Sequence, residues 1–240
     1  IADGWVYQVN ACRVLSNDSS HKNLRGLFSK LLVGNPAPWA SYLEIPGRTI
    51  ASASPELFLQ RKGSVVKTSP IKGTQPLDET DFGKKDKAEN VMIVDLMRND
   101  LGKICESGSV EVPRLLASED HPGLRHLVSD IEGVVRKDIS WKEILESLSP
   151  PGSISGAPKS SAISVITEHE EKRGPYCGAL GWVQGDQCEL SVAIRIFWQD
   201  SQIHFGTGAG ITWGSDPASE WEETQLKARR LISIAGGVLS

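Results

Sequence analysis

Long apolar runs are missing from this chain of 240 residues. None approaches the roughly 20 residues that a membrane-crossing helix needs, so no membrane partner is expected. A cationic excess is missing as well. Twenty-six Lys and Arg stand against 30 Asp and Glu, a net charge of −4, and the electrostatic case for nucleic acid is absent. Cysteine is scarce: Cys12, Cys105, Cys177 and Cys188 form no CxxC pair and have no metal-like spacing, and they read as free thiols in a reducing cytosol. The five histidines contain no HxxxH pair, and His121 and His126, five apart, do not share a helical face as zinc ligands do. Repeats and low-complexity tracts are lacking. Ile1-Ala2-Asp3-Gly4-Trp5 reads as neither a basic nor an apolar targeting segment. The chain opens without Met in sequence that reads as ordered, so preceding residues are expected in the full gene product, and the expected location is cytoplasmic.

What is present suffices for a core. Hydrophobic residues make up 39% of the chain, enough for one large domain or two small ones. Residues 5–16 alternate loosely and read as a strand. Lys22 to Leu32 reads as a short amphipathic helix with Leu24, Leu27, Phe28, Leu31 and Leu32 on one side. Ser41–Ile45 and Thr49–Ala53 read as a hairpin around Pro46-Gly47, and Leu57–Arg61 and Val65–Ser69 as another around Lys62-Gly63-Ser64. A helix is expected from about Lys84 to Leu101, apolar at Val91, Val94, Leu96 and Met97. Residues 109–136 are strand-rich. Trp141–Leu148, Lys159–Glu170 and Ala218–Ile234 read as helices, and Gly178–Gln184, Glu189–Trp198 and Gln202–Thr207 as strands. Consecutive hairpins with helices in blocks, without regular strand–helix alternation, predict an antiparallel α+β fold.

Two of these helices present acids alike. Asp86 and Glu89 are three apart; Glu220, Glu223 and Lys227 fall at i, i+3 and i+7. If the two faces meet, four carboxylates converge, an arrangement that needs a counterion and suits a hard cation such as Mg2+. Ordinary solvated helix faces have the same spacing. Pro151-Gly152-Ser153-Ile154-Ser155-Gly156-Ala157-Pro158-Lys159 runs into a helix whose free N–H groups could meet an anion, or could simply be capped by Ser155 or a neighbour. Gly206-Thr207-Gly208-Ala209-Gly210-Ile211 ends a strand and could bring backbone close to a ligand, but fails the dinucleotide pattern, with Trp at position 213. In Pro70-Ile71-Lys72-Gly73-Thr74 a lysine sits in what reads as a loop after a strand. Shielded from water it would be a nucleophile; exposed, an ordinary surface lysine. Arg195, in the apolar run Val192–Phe197, needs an anion, whether a ligand or a structural carboxylate.

Together these segments resemble the chorismate-binding enzymes over nearly the whole chain. The motifs run in order: Tyr7-Gln8-Val9-Asn10, Ser54-Pro55-Glu56, Lys85-Asp86-Lys87-Ala88-Glu89-Asn90, Val94-Asp95-Leu96-Met97-Arg98-Asn99-Asp100, His126-Leu127-Val128-Ser129, Ser155-Gly156-Ala157-Pro158-Lys159, Tyr176-Cys177-Gly178-Ala179, Gly208-Ala209-Gly210-Ile211 and Glu222-Glu223-Thr224. The resemblance implies one catalytic domain over residues 1–240, with two packed antiparallel sheets flanked by outer helices. It implies that Glu89 and Glu223 bind Mg2+, with Asp86 and Glu220 as supporting acids. Arg195 and Tyr176 would grip the enolpyruvyl carboxylate of chorismate, Gly208, Gly73, Ser153 and Lys227 would contact substrate, and His126 would lie near the reacting ring.

Within that family the reading Pro-Ile-Lys-Gly-Thr resembles the aminodeoxychorismate synthase component I branch, where anthranilate synthases typically carry Ala at the Lys72 position. The implied chemistry is attack by the Lys72 amine on C2 of chorismate with loss of the C4 hydroxyl, then ammonia addition at C4. Glu56 would act as general acid and base, and the product would be 4-amino-4-deoxychorismate, a precursor of 4-aminobenzoate and folate. Ammonia would come from a glutamine amidotransferase subunit or domain, since no cysteine here sits in a glutaminase setting. The lysine base of isochorismate and salicylate synthases has no counterpart near Tyr7-Gln8-Val9-Asn10. By that resemblance the sequence begins at the shared catalytic core and the N-terminal region of many relatives is expected to be absent, so tryptophan control is not inferred, and the stretch from Thr74 to Asp86 is shorter than expected. Two other readings stand beside the main one: an anthranilate synthase component I that carries Lys, and a non-catalytic chorismate-binding subunit.

Overall fold

The computed structural model describes residues 1–18, 23–121 and 124–239. Lys22, the expected first residue of a helix, lies outside the described residues. In chain order the strands are β1 (Gln8–Asn17), β2 (Trp39–Ile45), β3 (Arg48–Ser54), β4 (Leu57–Lys62), β5 (Val65–Ser69), β6 (Ile71–Gln75), β7 (Glu111–His121), β8 (Leu124–Val134), β9 (Gly156–Ala157), β10 (Ala179–Gln184), β11 (Gln187–Val192), β12 (Ile196–Gln199) and β13 (Ile203–Thr212). The helices are α1 (Leu24–Gly34), α2 (Lys84–Gly102), α3 (Trp141–Leu148), α4 (Lys159–His169) and α5 (Pro217–Ile234). Two antiparallel sheets with helices make the α+β class.

The chain divides into two compact units. The first comprises Ile1–Pro55, Ile154–Gly178 and Ala193–Ser240; the second comprises Glu56–Ser153 and Ala179–Val192. The first holds the sheet β2-β3-β12-β13-β1-β9. Pro46-Gly47 closes the β2–β3 hairpin, with Gly47 at φ +77°, a left-handed conformation that glycine adopts without strain. Ala51 and Ala53 of β3 are small, and Leu24, Leu27 and Leu31 of α1 bury against them with Phe197, Phe205 and Leu231. Asn23 caps α1 by accepting from the backbone N–H groups of Arg25 and Gly26. Leu32, expected on the apolar side, is exposed.

The second unit holds the sheet β10-β11-β4-β5-β8-β6, with β7 also paired to β8. β5 and β6, separated by Pro70, run along one edge of β8, and β7 along the other. Ile93, Val94, Met97 and Leu101 of α2 bury in this unit, whereas Val91 faces out; the apolar stripe lies one position round from the expected one. Ser140 and Glu143 form a reciprocal capping box that starts α3.

Three expectations are corrected. The run Glu189–Trp198 is two strands, not one: β11 ends at Val192, β12 begins at Ile196, and they belong to different sheets. The segment around Lys72 is strand β6, not a loop. The Gly-rich segment before α4 contains the two-residue strand β9, paired to Gln8 and Val9 of β1, and α4 starts at Lys159 behind Pro158, with no side-chain cap from Ser155.

Candidate active site

In the second unit the sequence places Lys72 in a strand that is deliberately irregular. The ladder between β6 and β8 pairs Ile71 with Val128 and Thr74 with His126, and its register shifts between them. Lys72 and Gly73 therefore sit in a bulge, a device that re-aims side chains. Gly73 has φ +89°, and a Cβ there would stand 3.0 Å from Asp86 Cβ and 3.1 Å from Phe82. Only glycine lets the strand lie this close to the first turn of α2, which brings the expected substrate residue Gly73 against the expected acid Asp86. Thr74 Oγ1 lies 2.8 Å from His126 Nδ1, and the fully buried His126 meets the His121 ring edge-on at 4.8 Å. Thr74 thus orients His126.

Asn90 docks α2 onto β8. Its Nδ2 donates to the Leu127 carbonyl at 3.1 Å and its Oδ1 accepts from Ser129 Oγ at 2.6 Å. This fixes the helix rotation that presents Asp86 and Glu89. Glu89 lies 3.8 Å from Lys85 one turn earlier. Glu56, the first residue of this unit, is buried and accepts from Ser153 Oγ at 2.7 Å. The structure therefore joins the expected acid/base to the expected substrate residue Ser153. The Glu56 carbonyl is held by the Val192 N–H.

In the first unit α5 gathers a second group. Lys227 Nζ donates to the Gly208 carbonyl at 3.2 Å and stands 2.5 Å from Glu223 Oε1. A Cβ on Gly208 would meet the Ala11 carbonyl and Cys12 Sγ, so glycine is required for the strand to lie flat. Glu220 is buried and accepts from Ser215 Oγ at 2.6 Å. Three expected residues, Gly208, Lys227 and Glu223, thus form one contact chain.

Arg195 has φ +51°, a left-handed conformation that is costly for a side chain of this size. Its carbonyl accepts from the Ala53 N–H at 3.1 Å, which anchors the turn to β3. Tyr176 is buried with its ring flat on Gly206, where any Cβ would lie 2.2 Å from the ring. Burial, and then the neighbouring Cys177 and Cys12, push its phenol well above the ordinary range. Cys177 has φ +65°. Burial opposes ionisation of its thiol, but the hydrogen bond with Cys12 and the positive Arg173 outweigh that and lower it; Cys12 correspondingly rises.

Sequence reasoning did not find the Arg173–Glu170 clamp. Arg173 donates through Nε and Nη2 to both Glu170 oxygens at 2.7 and 2.9 Å, and Nη2 also reaches the Asn10 carbonyl at 2.7 Å. The only sequence signal was an i,i+3 acid–base pair just past α4, which is common on solvated surfaces. Nor did it find Asp130, which accepts from Lys67, Ser69 and Arg114.

The acids offer oxygen donors only, the set a hard cation prefers. Among the described residues no three or more His, Cys, Asp or Glu side chains gather as a metal cage. Mg2+ takes one or two carboxylates and completes its shell with water or substrate oxygens, so oxygen donors such as those of Glu89 and Glu223 suit it. No helix among the described residues is long and apolar enough to cross a membrane.

The family pattern described as chorismate binding enzyme matches residues 1–233. Anthranilate synthase component 1 of Saccharolobus solfataricus is 37% identical over 250 residues, covering 98% of this chain and 59% of that protein. A Haloarcula marismortui protein of the same name is 37% identical over 253 residues, covering all of this chain and 52% of its own length. The crystal structure of anthranilate synthase component I from Streptococcus pneumoniae superimposes with a TM-score of 0.87 at 31% identity, over 96% of this chain and 54% of that one. The chain thus spans little more than half the length of these relatives. It belongs to the chorismate binding enzyme family.

Proposed function

We propose that residues 1–240 form the catalytic core of an Mg2+-dependent enzyme that aminates chorismate with ammonia delivered by a glutamine amidotransferase partner. What supports the reading is that several of the expected residues meet within each unit. Glu56 meets Ser153, Gly73 lies against Asp86, and Lys227 links Gly208 to Glu223. Mg2+, held by Glu89 and Glu223 with Asp86 and Glu220 in support, would supply positive charge to the ring carboxylate. Arg195 and Tyr176 would hold the enolpyruvyl carboxylate by a charge-assisted fork and a hydroxyl. Burial keeps the Tyr176 phenol protonated and so a donor.

The product divides two readings. The names of the relatives favour anthranilate. Lys72 favours 4-amino-4-deoxychorismate, because a lysine re-aimed by a bulge is suited to attack C2 as the C4–O bond breaks. Glu56 would protonate the departing hydroxyl, which leaves as water. Ammonia then bonds to C4 and the Lys72 amine is released, so covalent catalysis splits one substitution into two. The setting is cytoplasmic.

The test is incubation of the purified chain with chorismate, Mg2+ and ammonium at alkaline pH, with products separated by mass and fluorescence, alongside Lys72→Ala. Aminodeoxychorismate that falls by roughly 10²-fold or more in Lys72→Ala supports the covalent route. Anthranilate from both proteins assigns the other branch and leaves Lys72 without a chemical role. Chorismate bound but not consumed overturns the catalytic reading in favour of a regulatory subunit.

A further inference from the structure

Two of the four cysteines meet within the first unit, and the proposed reaction uses neither. The Asn10 amide holds both: its Nδ2 lies 3.1 Å from Cys12 Sγ and 3.9 Å from Cys177 Sγ. The two thiols are also hydrogen-bonded to each other, and the Tyr176 hydroxyl is bonded to the same pair of sulfurs. The chain is fixed around them. Cys12 stands opposite Gly208 in the β1–β13 ladder, where a Cβ on that glycine would come 2.7 Å from Cys12 Sγ. The Cys177 N–H donates to the Ala193 carbonyl at 2.9 Å. Glu170 accepts from the Cys12 N–H at 2.9 Å and from Arg173, which in turn reaches the Asn10 carbonyl. Burial opposes a charge on Cys177, yet the Cys12 thiol and Arg173 outweigh it and favour the thiolate. Cys105 and Cys188 lie in the second unit, where burial pushes both thiols up to about 11. A half-buried thiol bonded to a buried thiolate has the parts of a redox-responsive pair, one sulfur to meet the oxidant and one to resolve it.

We propose that Cys12 and Cys177 close reversibly into a disulfide when a peroxide reaches Cys12, and that closing it weakens the hold of Tyr176 on substrate. The pair shares one proton, and its shift to Cys177 makes Cys12 the thiolate. Cys12 attacks one peroxide oxygen, the O–O bond breaks, and the other oxygen leaves as hydroxide, which takes the proton from Cys177 and becomes water. The Cys177 thiolate then attacks the sulfur of the Cys12 sulfenic acid. The S–S bond forms, the S–O bond breaks, and the departing hydroxide is protonated by solvent. The two sulfurs are oxidised and the peroxide is reduced to water. Closure draws the sulfurs from hydrogen-bond contact to a covalent bond and removes the sulfur charge that the Tyr176 hydroxyl meets. The Tyr176 ring lies flat on Gly206 with no room to spare, so it must shift as Cys177 moves. The cross-link does not depend on the reaction; its effect on chorismate rests on the role proposed for Tyr176.

The experiment treats the reduced, purified chain with hydrogen peroxide, weighs the intact chain, blocks the remaining thiols with iodoacetamide in denaturant and maps the peptides by mass. Expected are a single chain lighter by two hydrogens, one linked pair joining Cys12 to Cys177, alkylated Cys105 and Cys188, and reversal by dithiothreitol. Isothermal titration with chorismate and Mg2+, without ammonium, should show affinity falling roughly tenfold or more on oxidation, the worth of one good hydrogen bond, and returning on reduction. Cys12→Ser should bind chorismate alike before and after peroxide, whereas Cys105→Ser should respond as the wild type does. A linked pair that includes Cys105 or Cys188, sulfinic acid at Cys12 with no link, or an oxidised chain that binds chorismate as tightly as the reduced one overturns the proposal. A reduced chain that binds no chorismate overturns the proposed function and the effect on substrate with it, while the linked peptide still decides the pairing.

Discussion

Single side chains carry the sharpest consequences of this structure. Asp130 is buried and accepts from Lys67, Ser69 and Arg114 at 2.9, 2.7 and 2.8 Å. Burial alone would raise its carboxyl, but these three donors more than offset that and hold it below the ordinary carboxylate range. A depressed value stabilises the fold above the unfolded value of about 3.9 and loses that contribution as pH falls through the folded value. Asp130→Asn is therefore expected to cost roughly 2 kcal/mol at neutral pH, the worth of charge-assisted hydrogen bonds. The deficit should shrink steadily below pH 4, read by urea melts at a series of pH values. An unchanging deficit across that series would mean that shape, not charge, is what Asp130 contributes. Glu56 accepts from the Ser153 hydroxyl. Glu56→Gln keeps the Ser153 contact possible while removing the proton acceptor, so turnover should drop by roughly 10² or more with little change in melting temperature.

At the scale of elements, the bulge in β6 sets how closely strand and helix approach. Gly73→Ala must find room for a methyl against Asp86 and Phe82 while holding φ +89°. Loss of roughly 1–2 kcal/mol is expected, with a larger loss of activity than of stability if the bulge aims Lys72. Activity that stays at the wild-type level would detach the bulge from catalysis. This element also shows what the sequence could and could not reveal. Hairpins with glycine turns, such as β2–β3 and β4–β5, were legible because the turn residue and the flanking alternation are both local. So was α3, whose Ser140–Glu143 capping box is written in four residues. β6 was not, because Lys72-Gly73 interrupts its alternation and reads as a turn. The break at Arg195 was hidden for the opposite reason: Val192 to Phe197 is apolar enough to look continuous, and a left-handed arginine leaves no mark in composition. The expected site residues were drawn from ordered motifs, whereas the contacts that some of them make were not legible. Gly208 with Lys227 and Asn90 with Ser129 are brought together where a helix packs on a strand, α5 on β13 and α2 on β8.

Across the whole molecule the chain passes from one unit to the other four times, at Pro55–Glu56, Ser153–Ile154, Gly178–Ala179 and Val192–Ala193. The first unit's sheet is complete only when β12 and β13 arrive late and pair with β3 and β1. A chain shortened to end at Gly178 loses β12, β13 and α5 and leaves β3 and β1 without those partners, so far-ultraviolet melting should lose its cooperative transition. A sharp transition in that shortened chain would show that the earlier stretches fold without the later ones. Non-local pairing of this kind also makes slow folding the expectation. The contact between Ser153 and Glu56 has a separate meaning at this scale, since it joins the last residue of the second unit's long stretch to the first. Entry and exit points that meet are the condition under which a piece of chain can be exchanged as a cassette by recombination, because donor and recipient need to match at one place. The lineage could thus have traded that stretch whole, provided each version kept a β4 edge on which β11 could pair.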